Sequence, residues 1–187
     1  MAVTVIKKLK SDIDVKPIYD ELLHPTNQKF VTWGSSNFNA DPSHSTKSHG
    51  HVWESTGIMM ITNGATDQLN REKNNEDPTI WKYDYPELQK FFKWFTDTYG
   101  GIVRKANCYN TPPGKSVKSH TDSHDYFKNK DRFHLVLSGR YEYTVHKKTE
   151  VLSKGDLWWF NNKATHGSYN HGTEDKINVV FDVAGLR

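Results

Sequence analysis

Apolar and polar positions alternate along the second half of the chain. The clearest example is residues 141–146, where Tyr, Tyr and Val alternate with Glu, Thr and His, as in a strand with one buried and one exposed face. Similar short segments separated by turn residues predict seven strands, at 102–109, 115–120, 132–138, 140–146, 149–152, 157–161 and 176–184. Seven short strands of this kind are typical of a mainly β fold, either a sandwich or a jelly roll.

The first hundred residues have a different pattern, with two predicted helices. One covers 86–99 and the other 14–24, and glycine or proline follows each of them. The helix at 86–99 carries one apolar stripe at the 3.6-residue period, formed by Leu88, Phe91, Phe92, Phe95 and Tyr99. Such a stripe usually packs a helix on a sheet, and we expect that here rather than a ligand surface.

The remaining N-terminal segments are short strands and long loops. We predict a strand or tail at 1–13, strands at 27–33 and 57–62, and loops at 34–54 and 69–78. A loop as long as 34–54 is usually functional or disordered, which makes it a candidate substrate lid. We expect one domain, 1–187, in which 1–101 is a helical and loop-containing support and 102–184 is the β core.

Composition limits the class of protein. The formal net charge is +3, with basic and acidic residues mixed along the chain, so neither a nucleic acid nor a membrane is an expected partner. A single cysteine, Cys108, rules out an internal disulfide, and no apolar run approaches the ~18 residues of a membrane span. We therefore expect a soluble, cytoplasmic protein, whose oligomeric state the composition does not indicate.

Three side chains of the β half form a candidate metal site. His120 and Asp122 are two residues apart, so on an extended segment they point the same way and can bind one ion. His166 supplies a third ligand, and two histidines with one carboxylate leave open positions on Fe(II) for oxygen chemistry. His171 competes with His166 for the third position, but it lies in a predicted turn, where a surface role is more common.

A basic residue follows each part of this site at the same distance. Arg132 lies ten positions after the carboxylate, and Lys176 lies ten positions after the third ligand. Each is the first residue of a predicted strand. Counted from it, every second residue reads cation, polar residue, valine, while the residues in between are all apolar. The strands would therefore send both cations into one cavity. A metal at its mouth and a fixed cation farther in suit a ligand that chelates and carries a carboxylate, such as 2-oxoglutarate.

Several short motifs occur in a fixed order between about 102 and 184. They are Pro113-Gly114, His120-x-Asp122, Arg132-x-His134-Leu135, Gly155-Asp156-Leu157-Trp158, Phe160-Asn161-Asn162, His166 and Asn178-Val179-Val180-Phe181-Asp182-Val183. In order and spacing these motifs resemble the aspartyl/asparaginyl β-hydroxylases, a family of Fe(II)/2-oxoglutarate oxygenases that is similar to the L-proline cis-4-hydroxylases. The first hundred residues carry little of this resemblance.

The resemblance implies a fold and an activity. The fold would be a double-stranded β-helix, a cupin-like jelly roll with a few flanking N-terminal helices. The activity would be that of a dioxygenase using Fe(II), 2-oxoglutarate and O2 to hydroxylate an aliphatic C–H of an amino acid or a peptidyl residue, with release of succinate and CO2. The catalytic metal ligands would be His120, Asp122 and His166. The implied co-substrate residues are Lys176, at the distal carboxylate, and Arg132, His134, Tyr109 and Asn178.

Two positions depart from the family pattern. Lys176 stands where the family usually has arginine, and a lysine offers a point charge instead of a two-pronged fork, so it should hold a carboxylate less rigidly. Asp122 is present, whereas the vertebrate aspartyl hydroxylases lack a carboxylate ligand. The chain therefore resembles the small amino-acid hydroxylases more closely, and its retained carboxylate favours hydroxylation over halogenation.

Two other functional classes remain open. A jelly roll with these residues could be a non-catalytic binding protein, or a metal-dependent cupin enzyme that does not use 2-oxoglutarate. The histidines of the 34–54 loop, at 44, 49 and 51, lack the spacing of a fixed metal site. His124, close to the first ligand pair, is expected to face solvent.

Overall fold

The computed structural model describes residues 4–24, 31–32, 55–62, 80–81, 84–122 and 125–186. Within these ranges the chain forms twelve strands and two α-helices. The strands are β1 (Ile6–Lys10), β2 (Val31–Thr32), β3 (Thr56–Thr62), β4 (Ile80–Trp81), β5 (Gly100–Thr111), β6 (Ser116–His120), β7 (Lys130–Ser138), β8 (Arg140–Val145), β9 (Lys148–Ser153), β10 (Leu157–Phe160), β11 (His166–Tyr169) and β12 (Lys176–Leu186). The helices are α1 (Lys16–Leu23) and α2 (Pro86–Tyr99), and a short 3-10 turn covers Asp125–Phe127. Neither of these helices is long and apolar enough to cross a membrane.

The strands form two antiparallel sheets that face each other. The larger sheet has the order β1-β10-β7-β12-β5-β3-β2, with β4 paired to β3, and the smaller sheet has the order β6-β11-β8-β9. Apolar side chains of both sheets meet between them, with Ile6 and Trp158 from the larger sheet and Tyr141, Val145 and Leu152 from the smaller. This arrangement is a jelly roll, so the predicted mainly β fold class is confirmed.

The helices form a third layer on the outer face of the larger sheet. The aromatic stripe of α2 packs on β12, as predicted, and Phe181 lies at the centre of the contact. Its ring centroid is 6.0 Å from that of Phe91 and 5.0 Å from those of Phe92 and Phe95. Phe181 also stacks on Phe133 of β7 at 5.3 Å. This aromatic cluster therefore fastens α2 to the two central strands.

The local sequence sets the ends of α2 at the predicted residues. Pro86 occupies the first turn, where its missing N–H costs no hydrogen bond. At the other end, Gly100 donates its backbone N–H to the Thr96 carbonyl, and Gly100 and Gly101 have φ angles of 81° and 79°. A Cβ at Gly101 would lie 2.6 Å from Val183 Cγ1. Glycine is therefore required where the chain turns from α2 directly into β5.

Most of the predicted elements are present, with shifted ends. The predicted helix at 14–24 is α1, and the strands predicted from 115 onward correspond to β6, β7, β8, β9, β10 and β12. β5 is longer than predicted and extends to Thr111. The alternation does not predict β11, because His-Gly-Ser-Tyr is only four residues long, contains a glycine and has no β-branched residue.

Other predicted segments lie outside the described residues. These are the loops 34–54 and 69–78, with the candidate lid and its histidines, and most of the strand predicted at 27–33, of which only β2 is described. The segment 1–13 contains β1, which pairs with β10 at the edge of the larger sheet.

The alternation of β7 and β12 places their polar phase between the two sheets. His134 of β7 lies edge-on to Tyr143 of the smaller sheet, with ring centroids 4.8 Å apart. Lys176 of β12 donates from Nζ to Ser168 Oγ on β11 at 2.7 Å. The opposite phase, which includes Phe133 and Phe181, faces the helices. The polar phase of both strands therefore faces the smaller sheet, as the two strand patterns indicate.

We predict that Phe181→Ala destabilises the protein by about 3–5 kcal/mol, because it leaves a cavity at the centre of the aromatic cluster. Urea unfolding followed by circular dichroism measures the change. Val151→Ala is the control, since Val151 is 39% exposed on β9 and its truncation should change the stability by less than about 0.5 kcal/mol. Equal stability of the two variants would mean that the cluster does not hold the helix layer.

Candidate metal centre and the polar chamber behind it

The structure brings the three predicted metal ligands together. One ligand atom from each of His120, Asp122 and His166 lies within 4.8 Å of the other two. Nε2 of His120 is 4.0 Å from Asp122 Oδ1, and Nε2 of His166 is 3.8 Å from Asp122 Oδ2. The two imidazoles and the carboxylate therefore converge on a space of the size that one metal ion fills.

The pairing of two strands produces this convergence. His120 is the last residue of β6 and His166 is the first of β11, and the antiparallel register places the two directly opposite each other. Their ring centroids are 4.3 Å apart. Asp122 follows β6 by two residues, and its backbone N–H donates to the Asn162 carbonyl at 3.1 Å, which ties it to the turn before β11.

Backbone carbonyls orient both imidazoles. Nδ1 of His120 lies 2.8 Å from the Lys118 carbonyl oxygen, and Nδ1 of His166 lies 2.9 Å from that of Ala164. A carbonyl accepts hydrogen bonds only, so Nδ1 carries the proton in each ring and Nε2 presents its lone pair to the site. Fixing the tautomer in this way is how proteins commonly prepare a histidine for a metal.

The charge states of the three groups also suit a cation. Burial lowers the pKa of the His166 imidazole to about 4, so this ring is neutral near neutral pH. Burial alone would raise the pKa of the Asp122 carboxyl, but Arg132 and the neighbouring imidazoles outweigh it and hold that pKa below its ordinary value. A neutral His166 nitrogen and an ionised Asp122 oxygen, beside the His120 imidazole, fit the 2-His-1-carboxylate set that Fe(II) takes.

Arg132 is bound by two carboxylates. Its Nε and Nη2 donate to Asp182 Oδ1 and Oδ2, at 2.7 and 3.0 Å, and its Nη1 donates to Asp122 Oδ2. Asn162 Nδ2 donates to the same Asp122 oxygen at 3.1 Å. The prediction that Arg132 contacts a co-substrate carboxylate stays untested, but the guanidinium has two anionic protein partners in this arrangement.

Lys176 lies deep between the sheets. It is 2% exposed, bonds to Ser168, and lies over the ring of Tyr141 with Nζ 4.4 Å from the centroid. Burial lowers the pKa of its ammonium to about 7, and no carboxylate of the described residues offsets that effect. Ser168 is two residues beyond His166 on β11, so this cation lies about one strand repeat, ~7 Å, behind the metal ligand.

The other predicted co-substrate residues lie on the neighbouring strands β5, β7 and β12, and their role stays a prediction. His134 lies between the rings of Tyr143 and Phe160, with ring centroids 4.8 and 4.7 Å away. Burial, and to a smaller extent the nearby cations, holds the pKa of the His134 imidazole well below its ordinary value. Asn178 is 1% exposed and is the register partner of Tyr109 on β5. The Tyr109 hydroxyl accepts from Asn107 Nδ2 at 2.9 Å.

Sequence reasoning missed several polar residues of the site. They are Asp182, Asn162, Ser168 and Thr111. Asp182 shares the inward phase of Lys176 and Asn178, so the strand alternation already contains the signal that could have identified it. Ser168 follows His166 by two residues, but it could be placed only once β11 was known to be a strand.

The rival third ligand lies elsewhere. The His171 imidazole is 59% exposed and pairs with Glu142 at 3.2 Å on the exposed side of β8. It also packs against Tyr169, with ring centroids 4.1 Å apart. His124 and the three histidines of the 34–54 loop lie outside the described residues.

We predict that Asp122→Ala and His166→Ala each weaken Co(II) binding by more than about 100-fold. Losing one of three ligands should exceed the 10–100-fold effect that is typical of a hydrogen-bonding neighbour of a ligand. Calorimetric titration of the metal-free protein with Co(II), a stand-in for Fe(II) that resists oxidation, measures the affinity. His171→Ala should bind as the wild type does; an unchanged affinity in His166→Ala would rule out this triad.

A second prediction concerns the buried ammonium. Because the pKa of Lys176 in the folded protein, about 7, lies below the 10.5 of a free lysine, the unfolded chain binds more protons between these values. The contribution of Lys176 to folding stability should therefore rise with pH from about 7 to about 10.5. Lys176→Met removes this dependence, so the gain in unfolding free energy over wild type should be larger at pH 6 than at pH 9.5.

Urea unfolding of both proteins at the two pH values tests this, because the difference between variants cancels the other titrating groups. Lys148→Met is the matched control, since Lys148 is 54% exposed and pairs with Glu150. A gain for Lys176→Met that is equal at both pH values would contradict the prediction.

Comparisons with known proteins bear on the same part of the chain. Residues 109–181 match the Cupin domain family, Cupin_2. No curated protein matches the chain significantly. This family match does not distinguish the aspartyl/asparaginyl β-hydroxylases from other cupins, so that resemblance stays a prediction.

Solved structures similar to the chain also include cupins. A predicted oxalate decarboxylase from Thermotoga maritima is 19% identical, with 44% of this chain and 68% of that chain covered and a TM-score of 0.38. A Cupin 2 conserved barrel domain protein from Salinispora arenicola is 15% identical, with 43% and 63% covered and a TM-score of 0.36. A cupin domain from Schizosaccharomyces pombe is 15% identical, with 46% and 64% covered and a TM-score of 0.38. The family match and the two-sheet topology together support placing residues 109–181 in the cupin superfamily.

Proposed function

We propose that the protein is an Fe(II)- and 2-oxoglutarate-dependent dioxygenase. It would hydroxylate an aliphatic C–H of an amino acid or a peptidyl residue, converting substrate, O2 and 2-oxoglutarate into hydroxylated product, succinate and CO2. The observation that carries this proposal is that a three-residue candidate metal face and a buried cation lie on the same short strand pairing, through His166 and Ser168 of β11. The substrate would be a small molecule or a peptide.

Lys176 is the group that points to an anionic co-substrate. An unpaired cation buried between two sheets is costly, and its cost is offset when an anion binds beside it. Its neighbours Ser168 and Tyr141 supply a hydroxyl and an aromatic face but no negative charge. A ligand that chelates the metal through one end and reaches back to Lys176 with a carboxylate would supply the missing charge.

Several buried polar atoms along this path would also gain partners from such a ligand. Thr111 Oγ1, Asn178 Oδ1 and His134 Nδ1 are buried and have no hydrogen-bond partner in the described part of the chain. Thr111 is the register partner of Lys176, and Asn178 follows Lys176 on the same face of β12. Buried polar groups in native proteins are nearly always hydrogen-bonded, so unsatisfied ones close together support a ligand site.

We assign each residue a role from its position. Bound Fe(II) would supply the oxygen chemistry, in which O2 is activated as 2-oxoglutarate is oxidatively decarboxylated. His120, Asp122 and His166 would hold the metal. Lys176 would fix the distal carboxylate, and His134, Asn178 and Tyr109 would line the ligand between the two ends. Arg132, which donates to Asp122, would line the same pocket.

We predict that the purified protein releases succinate from 2-oxoglutarate when Fe(II), ascorbate, O2 and a suitable amino acid or peptide are present. Lys176→Ala should raise the KM for 2-oxoglutarate by at least about 10-fold, because a charge-assisted hydrogen bond contributes about 1.5–3 kcal/mol. His166→Ala should abolish turnover, and Lys148→Ala should leave it unchanged. Succinate quantified by mass spectrometry, with a screen for products that gain one oxygen, provides the measurement.

The same assay separates the alternatives. A non-catalytic binding protein gives no turnover with any tested substrate. A metal-dependent cupin enzyme that does not need 2-oxoglutarate turns its substrate over when that co-substrate is omitted. Either result, obtained with protein that binds metal, would overturn the proposal.

A further inference from the structure

We propose that Arg132 and Asp182 form a positioning pair that holds one oxygen of Asp122 and leaves the other for the metal. This inference rests on the metal site of the proposed function and assigns a role to Asp182. It gives Arg132 a task at the carboxylate ligand, distinct from contact with a co-substrate carboxylate.

The two oxygens of Asp122 have different surroundings. Oδ2 accepts from Arg132 Nη1 and from Asn162 Nδ2, and it lies 3.8 Å from His166 Nε2. Oδ1 lies 4.0 Å from His120 Nε2, and no donor from the part of the chain that the structure describes bonds to it. An oxygen that already accepts two hydrogen bonds has little capacity left, so Oδ1 is the atom that remains to coordinate a cation.

Asp182 determines which part of the guanidinium reaches Asp122. It lies directly opposite Arg132 in the register of β12 and β7, and it is 2% exposed. Its two carboxylate oxygens accept hydrogen bonds from Arg132 Nε and Nη2, at 2.7 and 3.0 Å. Nη1 is then left to donate to Asp122. The Phe127 ring covers the guanidinium, with Cζ 4.8 Å from the ring centroid. A flat fork held on one edge and covered on one face has little freedom to turn.

Asp182 also sets the charge beside the metal ligands. Arginine stays protonated in proteins, so one guanidinium facing Asp122 alone would neutralise the only carboxylate of the triad. Because Asp182 shares the same guanidinium, the three groups together keep one negative charge. This charge favours a divalent cation at the triad. Asp182 therefore orients Asp122 through Arg132 and preserves the electrostatic attraction of the site.

The test is Asp182→Asn, which keeps the shape of the side chain and removes its charge. Metal-free wild type and variant are titrated with Co(II) by calorimetry, and the visible absorption spectrum of the bound Co(II) is recorded. The inference expects affinity to fall about 10–100-fold and the spectrum to change, as when a neighbour of a metal ligand is altered. Asp131→Asn is the matched control: Asp131 precedes Arg132, bonds to Trp159 Nε1 at 2.7 Å, and should leave both readouts unchanged.

A second variant decides the outcome if Asp182→Asn does not fold. Arg132→Lys keeps the charge but cannot contact two carboxylates as a fork, so it should also weaken Co(II) binding and alter the spectrum. Wild-type affinity and spectrum in either folded variant would overturn the inference and leave the metal site intact. Failure of wild type itself to bind Co(II) would instead overturn the proposed metal site, and this inference with it.

Discussion

Each of the central strands β7 and β12 has one face in an apolar environment and one in a polar environment. The rest of the structure depends on how their side chains are divided between these faces. One face of each strand is apolar and packs under the helices through Phe133 and Phe181. The other face carries polar and charged groups into the space between the sheets. Because side chains alternate along a strand, a shift of one residue in either register would bury the charges under the helices and turn the aromatics into the cavity.

Two buried cations, Arg132 and Lys176, differ in the partners that the protein gives them. Arg132 is shared by two carboxylates and has its hydrogen bonds within the protein, so the ligands that it helps to hold are set before any ion binds. Lys176 has a hydroxyl and an aromatic ring beside it and no carboxylate among the residues described. Burying a charge in this way opposes folding, and the aromatic core on the other face of the sheet supplies the apolar burial that compensates for it.

Much of this architecture could be predicted from the sequence. The 3.6-residue stripe and the double glycine determine α2 to the residue, and the alternating phases identify the inward faces of β7 and β12. His120 and Asp122 could be chosen as candidate ligands because residues two apart on an extended segment point the same way, although Asp122 lies beyond the end of β6. β11 could not be predicted, since it becomes a strand only by pairing with β6 and β8, and Ser168 depends on it. The partners of Arg132 depend on cross-strand register, which the pattern of one strand does not specify.

One short strand links the two ends of the cavity. His166 and Ser168 are separated by a single glycine on β11; the first belongs to the candidate metal triad and the second accepts from the ammonium of Lys176. Because one residue separates them, the positions of both side chains depend on the pairing of this strand with β6 and β8. One tetrapeptide therefore couples the candidate metal face to the buried ammonium, so a change in one should be felt at the other.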